Sequence, residues 1–229
     1  MLRPKKRISK RELKEDALIT GYVKATGYYE QNKKSIQYGV LGVIAVVVVL
    51  FVYLNNRSTN DRVAMTELGK VYSLYDNSQF QLAIDGVPER NISGLKAIVD
   101  NYGGTHSGEL ARFYLANSYF NLEKYDEALA QFEEFSADGE ELVVSRLAGI
   151  AACEEAKGLH GDAAENFEKA ATKFSGNVNV PENLYHAARN YAKAGNKERA
   201  LDIYKKIKKD HSKSTYARDV DRYIAQLSV

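Results

Sequence analysis

ARFYLANSYFNLEKYDEALAQFEEF, residues Ala111 to Phe135, reads as two amphipathic helices joined by a short turn. The first sets Leu115, Ala116 and Tyr119 on one face, and the second sets Tyr125, Ala128 and Phe132. About 35 residues on, GIAACEEAKGLHGDAAENFEKAA puts Ile150, Ala151, Gly158, Ala163, Phe167 and Ala170 in matching places. About 37 residues further, HAARNYAKAGNKERALDIYKKI does the same with Ala187, Ala188, Tyr191, Gly195, Ala200, Tyr204 and Ile207. One such helix pair cannot bury its apolar face alone, so a chain that repeats it must stack the copies into a solenoid.

The residue types fit close packing. Two helices cross tightly only where side chains are small, and Ala116 with Ala128, Ala151 with Ala163 and Ala188 with Ala200 supply the small partners. Gly158 and Gly195 stand where a first helix must stop, while Asp126 and Asp162 suit the positive end of a second. Pro181 can open the third repeat at a first helical position. Together these positions resemble the tetratricopeptide repeat, an antiparallel helix pair.

Working outward, Arg62 to Tyr75 reads as one more helix, followed by FQLAIDG and a break at Gly86, Pro88 and Asn91. SGLKAIVDNYG then resumes an apolar face with Leu95, Ile98, Val99 and Tyr102, so the break is an insertion inside an irregular first pair. At the far end STYARDVDRYIAQL offers Tyr216, Val220, Tyr223, Ile224 and Leu227 as the buried stripe of a capping helix. No alternating run of strand type occurs beyond residue 60.

Toward the N-terminus, IQYGVLGVIAVVVVLFVYL, Ile36 to Leu54, is free of charge between Lys34 and Arg57. As a helix it reaches about 28 Å, close to the hydrocarbon thickness of a bilayer. Its seven valines favour a strand in water, but a lone strand in lipid leaves its backbone groups unpaired, so a single span must be helical. The run starts late and no A-x-A-like cleavage site follows it, which favours an uncleaved anchor over a signal peptide. Residues 1–35 carry ten Lys and Arg against four Asp and Glu, and the 35-residue tail tips the positive-inside count toward a cytoplasmic N-terminus. This basic tail admits topology control, anionic lipid or nucleic acid as its purpose, and nothing interleaves aromatics with base-reading side chains.

The expected organisation is all-α. A basic tail at 1–35 and a span at 36–54 lead through a polar link at 55–61 into a solenoid at 62–229. The solenoid comprises an irregular pair at 62–104, repeats at about 109–140, 144–177 and 181–212, and a cap at 214–229. One cysteine, Cys153, excludes an intramolecular disulfide, and His106, His160, His186 and His211 show no metal-ligand spacing, so no metal or other cofactor is expected. There is no G-x-S-x-G, phosphate-binding loop or paired-carboxylate signature, which argues for a binding protein rather than an enzyme.

The order of parts resembles more than a generic repeat protein. The basic tail, the span near residue 40, the Ala83 to Gly86 stretch, GTHSGELARFYLANSYF and DHSKSTYARDVDRYIAQL are similar to the tetratricopeptide ancillary subunit of the bacterial Sec translocon, in its Bacteroidetes and Chlorobi form. That resemblance implies a bacterial inner membrane anchor with the solenoid in the periplasm. It also implies translocon subunits, periplasmic chaperones or client polypeptides as partners. An envelope scaffold for cell-wall or outer-membrane assembly would use the same parts.

The expected partner surface is the groove lined by the first helix of each pair. The repeat register turns Phe113, Tyr114, Asn117 and Phe120 inward, then Ala148, Ala152 and Glu155, then Tyr185, His186, Arg189 and Lys193. Such a lining suits a peptide or an amphipathic helix. Asn117 occupies a position used by repeats that clamp a C-terminal carboxylate, but Phe113 stands where their lysine should be, which disfavours that ligand. Charge is graded as well: residues 55–195 carry 13 basic and 21 acidic side chains, and residues 196–229 carry 9 and 5.

Overall fold

The computed structural model describes residues 10–136 and 138–228, so the basic opening of the tail, residues 1–9, lies outside them. The chain divides into two compact units, one ending at Asn56 and the other beginning at Arg57. A single helix, α1 (Lys10–Asp76), contributes to both.

In the first unit α1 is long and apolar enough to cross a membrane. Every large apolar side chain from Val40 to Leu54 is more than half exposed, so the described residues supply no core for this stretch. The polar link expected over 55–61 is not a break: NNRSTND is helical throughout. It holds neither Gly nor Pro, and no local feature stops the helix there.

The second unit stacks helix pairs. The end of α1 pairs with α2 (Phe80–Asp85) and α3 (Leu95–Tyr102), then come α4 (His106–Asn121) with α5 (Tyr125–Glu134), α6 (Glu140–Ala156) with α7 (His160–Lys173) and α8 (Val180–Lys193) with α9 (Lys197–Asp210). A short 3-10 turn, Thr215–Arg218, leads to the cap α10 (Val220–Leu227). Two cross-links hold the end of α1 to the start of α4. Arg57 Nη2 donates to the Gly104 carbonyl at 2.8 Å, and Asp61 Oδ1 accepts from the Ser107 amide at 2.7 Å. That amide bond is the main reason the Asp61 carboxyl lies below its ordinary range.

The insertion between α2 and α3 is a ribbon of two strands, β1 (Gly86–Val87) antiparallel to β2 (Ile92–Ser93). Sequence could place the break but not the strands, because two residues are too few for a period of two to show. Gly94 is required here, since a Cβ on it would lie 2.2 Å from the Ile84 carbonyl oxygen.

The four turns that follow the first helix of each pair are built alike, with a residue at positive φ: Ser78 (58°), Glu123 (59°), Gly158 (79°) and Gly195 (87°). In each, that residue's amide bonds three residues back and the next amide five back, as in Gly158 to Glu155 and Leu159 to Glu154. This is the Schellman closure, which glycine enters without a Cβ penalty. Ser78 and Glu123 carry that penalty. Glu123→Gly is therefore expected to raise stability by up to about 1 kcal/mol, and Gly158→Ala to lower it by about 1 kcal/mol, read from urea-unfolding midpoints.

The small partners lie at the crossings as the packing argument requires. Ala116, Ala128, Ala151, Ala163, Ala188 and Ala200 are all wholly buried. Larger side chains fill between pairs: Leu68, Leu95 and Ile98 in the first, Phe132 under α4 to α6, and Phe167, Leu184, Tyr204 and Val220 toward the cap. Tyr204 stacks on Tyr223 of α10 at 5.2 Å between centroids, closing the C-terminal end.

Candidate functional site

The first helices of three successive pairs, α4, α6 and α8, enclose an open cavity of about 560 Å³. Phe113, Asn117 and Phe120 enter from α4, Ala148, Ala152 and Glu155 from α6, and His186 and Arg189 from α8. Small residues in α6 make the room. Gly149 belongs to this floor, since a Cβ there would meet the Phe132 ring at 2.6 Å.

Three of the expected groove residues lie elsewhere. Tyr114 is turned into the first core, 4.8 Å from the Tyr75 ring and 5.4 Å from Tyr72. Tyr185 faces the cap, its hydroxyl 2.9 Å from that of Tyr223 and its ring 5.4 Å from Tyr216. Neighbouring residues on a helix point about 100° apart, and here Phe113 and His186 take the cavity side while Tyr114 and Tyr185 are turned into the core on either side of it. Lys193 is a turn beyond it, lining a smaller depression of about 270 Å³ with Arg189, Ala192, Tyr204, Tyr223, Gln226 and Leu227.

The cavity also gathers residues that helical register does not single out. Phe132 and Phe167 reach it from second helices, Val144 and Ser145 from the first turns of α6, and Asn179, Glu182 and Asn183 from the start of α8. For the phenylalanines the apolar stripe was the available signal, and it marks them as core, which they also are.

At one end the charges are matched. Arg189 Nη2 donates to both Glu155 oxygens at 2.8 and 2.7 Å, and Lys193 Nζ reaches Oε1 at 3.2 Å. Burial opposes ionisation of Glu155, but hydrogen bonds from Asn190, Arg189 and Lys193 and the Arg189 charge outweigh it, so its carboxyl lies below its usual range. His186 stacks on Phe167 at 5.0 Å, and its Nδ1 is enclosed without a partner. Burial, then the Arg189 charge, push its pKa below the ordinary value, so the ring is neutral at pH 7. Asn117 Nδ2 donates to the Phe113 carbonyl at 2.8 Å, within its own helix.

Both shifts make stability fall on acidification. Below the ordinary histidine value of about 6.5 the unfolded chain takes up a proton that folded His186 resists, and below about 4.5 unfolded Glu155 protonates before the folded carboxylate does. Urea midpoints should fall in two limbs from about pH 7.5 to about pH 4, and His186→Gln should flatten the upper limb alone.

Among the described residues no three His, Cys, Asp or Glu side chains come together to hold a metal ion. Cys153 is enclosed, and burial pushes its thiol up to about 12, leaving it inert at neutral pH. What the cavity offers is an apolar surface with a few polar groups.

A tetratricopeptide-repeat family model matches residues 110–138 and 182–214, that is, α4 with α5 and α8 with α9. No curated protein matches the chain. Among solved structures, a kinesin light chain candidate from Podosopora anserina, made of nearly identical TPR-like repeats, superposes with a TM-score of 0.57 at 16% identity, covering 73% of this chain and 85% of that one. A second structure of the same protein gives 0.56 at 16% identity, with 73% and 86% covered. At that identity the likeness is one of fold. The second unit is a tetratricopeptide-type α-solenoid, and these repeats indicate a protein-interaction module, a fold that in general binds rather than catalyses.

Proposed function

We propose that this chain is a single-pass protein of the bacterial inner membrane. Its repeat domain stands in the periplasm and holds polypeptide segments beside the Sec translocon as an ancillary subunit. The observation that carries the reading is the joining, in one chain, of an exposed apolar helix of bilayer length and a repeat domain with an open cavity of about 560 Å³. The resemblance of the tail, span, repeats and C-terminal stretch supplies the translocon. Anchoring keeps the cavity near emerging chains, which raises its effective concentration there without any new contact.

The experiment is affinity isolation of the full-length protein from solubilised membranes, alongside protease protection of intact spheroplasts. Translocon subunits and periplasmic chaperones in the isolate, with a repeat domain digested only from the outer side, are expected. Cell-wall or outer-membrane assembly factors without translocon subunits would replace this reading with that of an envelope scaffold. A repeat domain protected in spheroplasts would overturn its orientation.

A further inference from the structure

We infer that the lysine-rich C-terminal corner of the repeat domain docks on anionic lipid headgroups. This rests on the reading of Ile36 to Leu54 as a membrane span and gives the domain a bilayer contact of its own.

Contacts within the second unit place the starts of α4, α6 and α8 and the ends of α5, α7 and α9 on a common edge. Arg57, where the unit begins, donates to the Gly104 carbonyl just ahead of α4. Glu109 Oε2, in the first turn of α4, accepts from the Ser136 amide after α5 at 2.7 Å. Asn177, between α7 and α8, donates to Glu141 Oε2 at the start of α6 at 3.1 Å. Pro181, in the first turn of α8, shares a depression with Asp210 to Ser214, where α9 ends. Arg57 follows Leu54 by three residues, so α9 ends on the edge at which the chain arrives from its apolar segment. A bilayer that holds that segment is the first large surface this edge can meet.

The corner is basic. Residues 205–213, KKIKKDHSK, carry five lysines against Asp210 alone. Lys208 is bonded to Asp221 at 2.5 Å, whereas Lys205, Lys206, Lys209 and Lys213 are exposed and reach no carboxylate among the described residues. The helix dipole accounts for charges in the last turn, where Lys208 and Lys209 lie, but not for Lys205 and Lys206 before it or Lys213 beyond it. On the same edge Lys173 ends α7, and Val178, between α7 and α8, is 80% exposed, more than any other large apolar side chain described in the second unit. Free ammonium groups and a protruding valine match a headgroup layer, charged at its surface and apolar just beneath. Lysine rather than arginine suits mobile headgroups, since a fixed protein carboxylate is better met by the planar guanidinium fork.

Toward α6 the edge changes sign, since Asp138, Glu140 and Glu141 are exposed there. The intervening α7 and α8, at about 8–10 Å per helix, hold these carboxylates more than a Debye length from α9 at physiological salt. Attraction is therefore confined to the C-terminal corner. Each lysine at an anionic surface strengthens docking roughly fivefold.

The test uses the full-length chain in nanodiscs of phosphatidylcholine, or of equal parts phosphatidylcholine and phosphatidylglycerol, each with a headgroup-linked quencher. Cys153 is enclosed, so one introduced cysteine takes a fluorescent label: Ser175→Cys, exposed between α7 and α8, or Leu159→Cys, in the turn at the other ends of α6 and α7. The label at Ser175→Cys should be quenched strongly in the anionic discs and weakly in the neutral ones, and high salt should remove the difference. The label at Leu159→Cys should stay bright in both. Replacing Lys205, Lys206, Lys209 and Lys213 together by Gln should weaken docking on the order of a hundredfold or more, while Arg at all four positions retains it. Both sets should leave the urea midpoint unchanged, since the four side chains are exposed. Equal quenching, or none, in the two disc types overturns the inference. So does equal quenching at Ser175→Cys and Leu159→Cys in the anionic discs, or a Gln variant quenched like the lysine-bearing protein. Failure of the full-length protein to enter discs of either kind overturns instead the reading of Ile36 to Leu54 as a span.

Discussion

Phe132→Ala lowers the unfolding free energy by about 3–5 kcal/mol, the expected cost of emptying a fully buried aromatic site. Phe132 is 2% exposed on α5, and its ring lies 6.1 Å from that of Phe113 on α4 and directly under Gly149 of α6. One side chain thus joins three helices of two successive repeats. Stability in a solenoid is close to a sum over repeats and their interfaces, so weakening this one interface should also uncouple the halves. The measurement is urea unfolding of the full-length protein in detergent, followed by far-UV circular dichroism and by tyrosine fluorescence. A lowered midpoint with divergence of the two curves is expected. A loss below about 1 kcal/mol would mean that α5 and α6 do not depend on this ring.

Ala152→Trp removes ligand binding by about thirtyfold or more while leaving stability within about 1 kcal/mol. Ala152 is half-buried on the cavity floor, so an indole there occupies space that is open and does not displace core. Loss of the central pocket of an interface costs about 2 kcal/mol or more, and each 1.4 kcal/mol is tenfold. The protein has no tryptophan of its own, so the new residue reports its own position. Its emission should be blue-shifted, as for a ring among phenylalanines, and capture of polypeptide partners should be lost in affinity isolation. Retained binding with a buried indole would place the ligand elsewhere on the repeats.

The architecture was legible wherever one residue type had one job. Alanine at a helix crossing and glycine in a Schellman turn have few substitutes, and the positions read from the pattern coincide with buried crossings and positive φ angles. Ser78 and Glu123 make the same turn without the signature residue, so the first two turns carry no glycine to mark them. The short ribbon at Gly86 to Ser93 left only its break in the sequence, and the helix through 55–61 left no signal because polar residues are permitted in either state.

The cavity was harder to read. Register gave the helices that line it, and Phe113, Asn117, Phe120, Ala148, Ala152, Glu155, His186 and Arg189 do border it. Tyr114 and Tyr185 were misplaced by about one residue of helical rotation, which decides between groove and core but shifts hydrophobic periodicity very little.

The most direct test is photocrosslinking in intact cells from a photoreactive residue at Ala148, on the cavity floor, compared with one at Leu159, in the exposed turn between α6 and α7. Capture of extended secretory chains, translocon subunits or periplasmic chaperones from Ala148, abolished by Ala152→Trp and absent from Leu159, is the predicted result. Equal capture from both positions, or capture from Ala148 that survives Ala152→Trp, would contradict the assignment of this cavity as the place where the protein holds its partners.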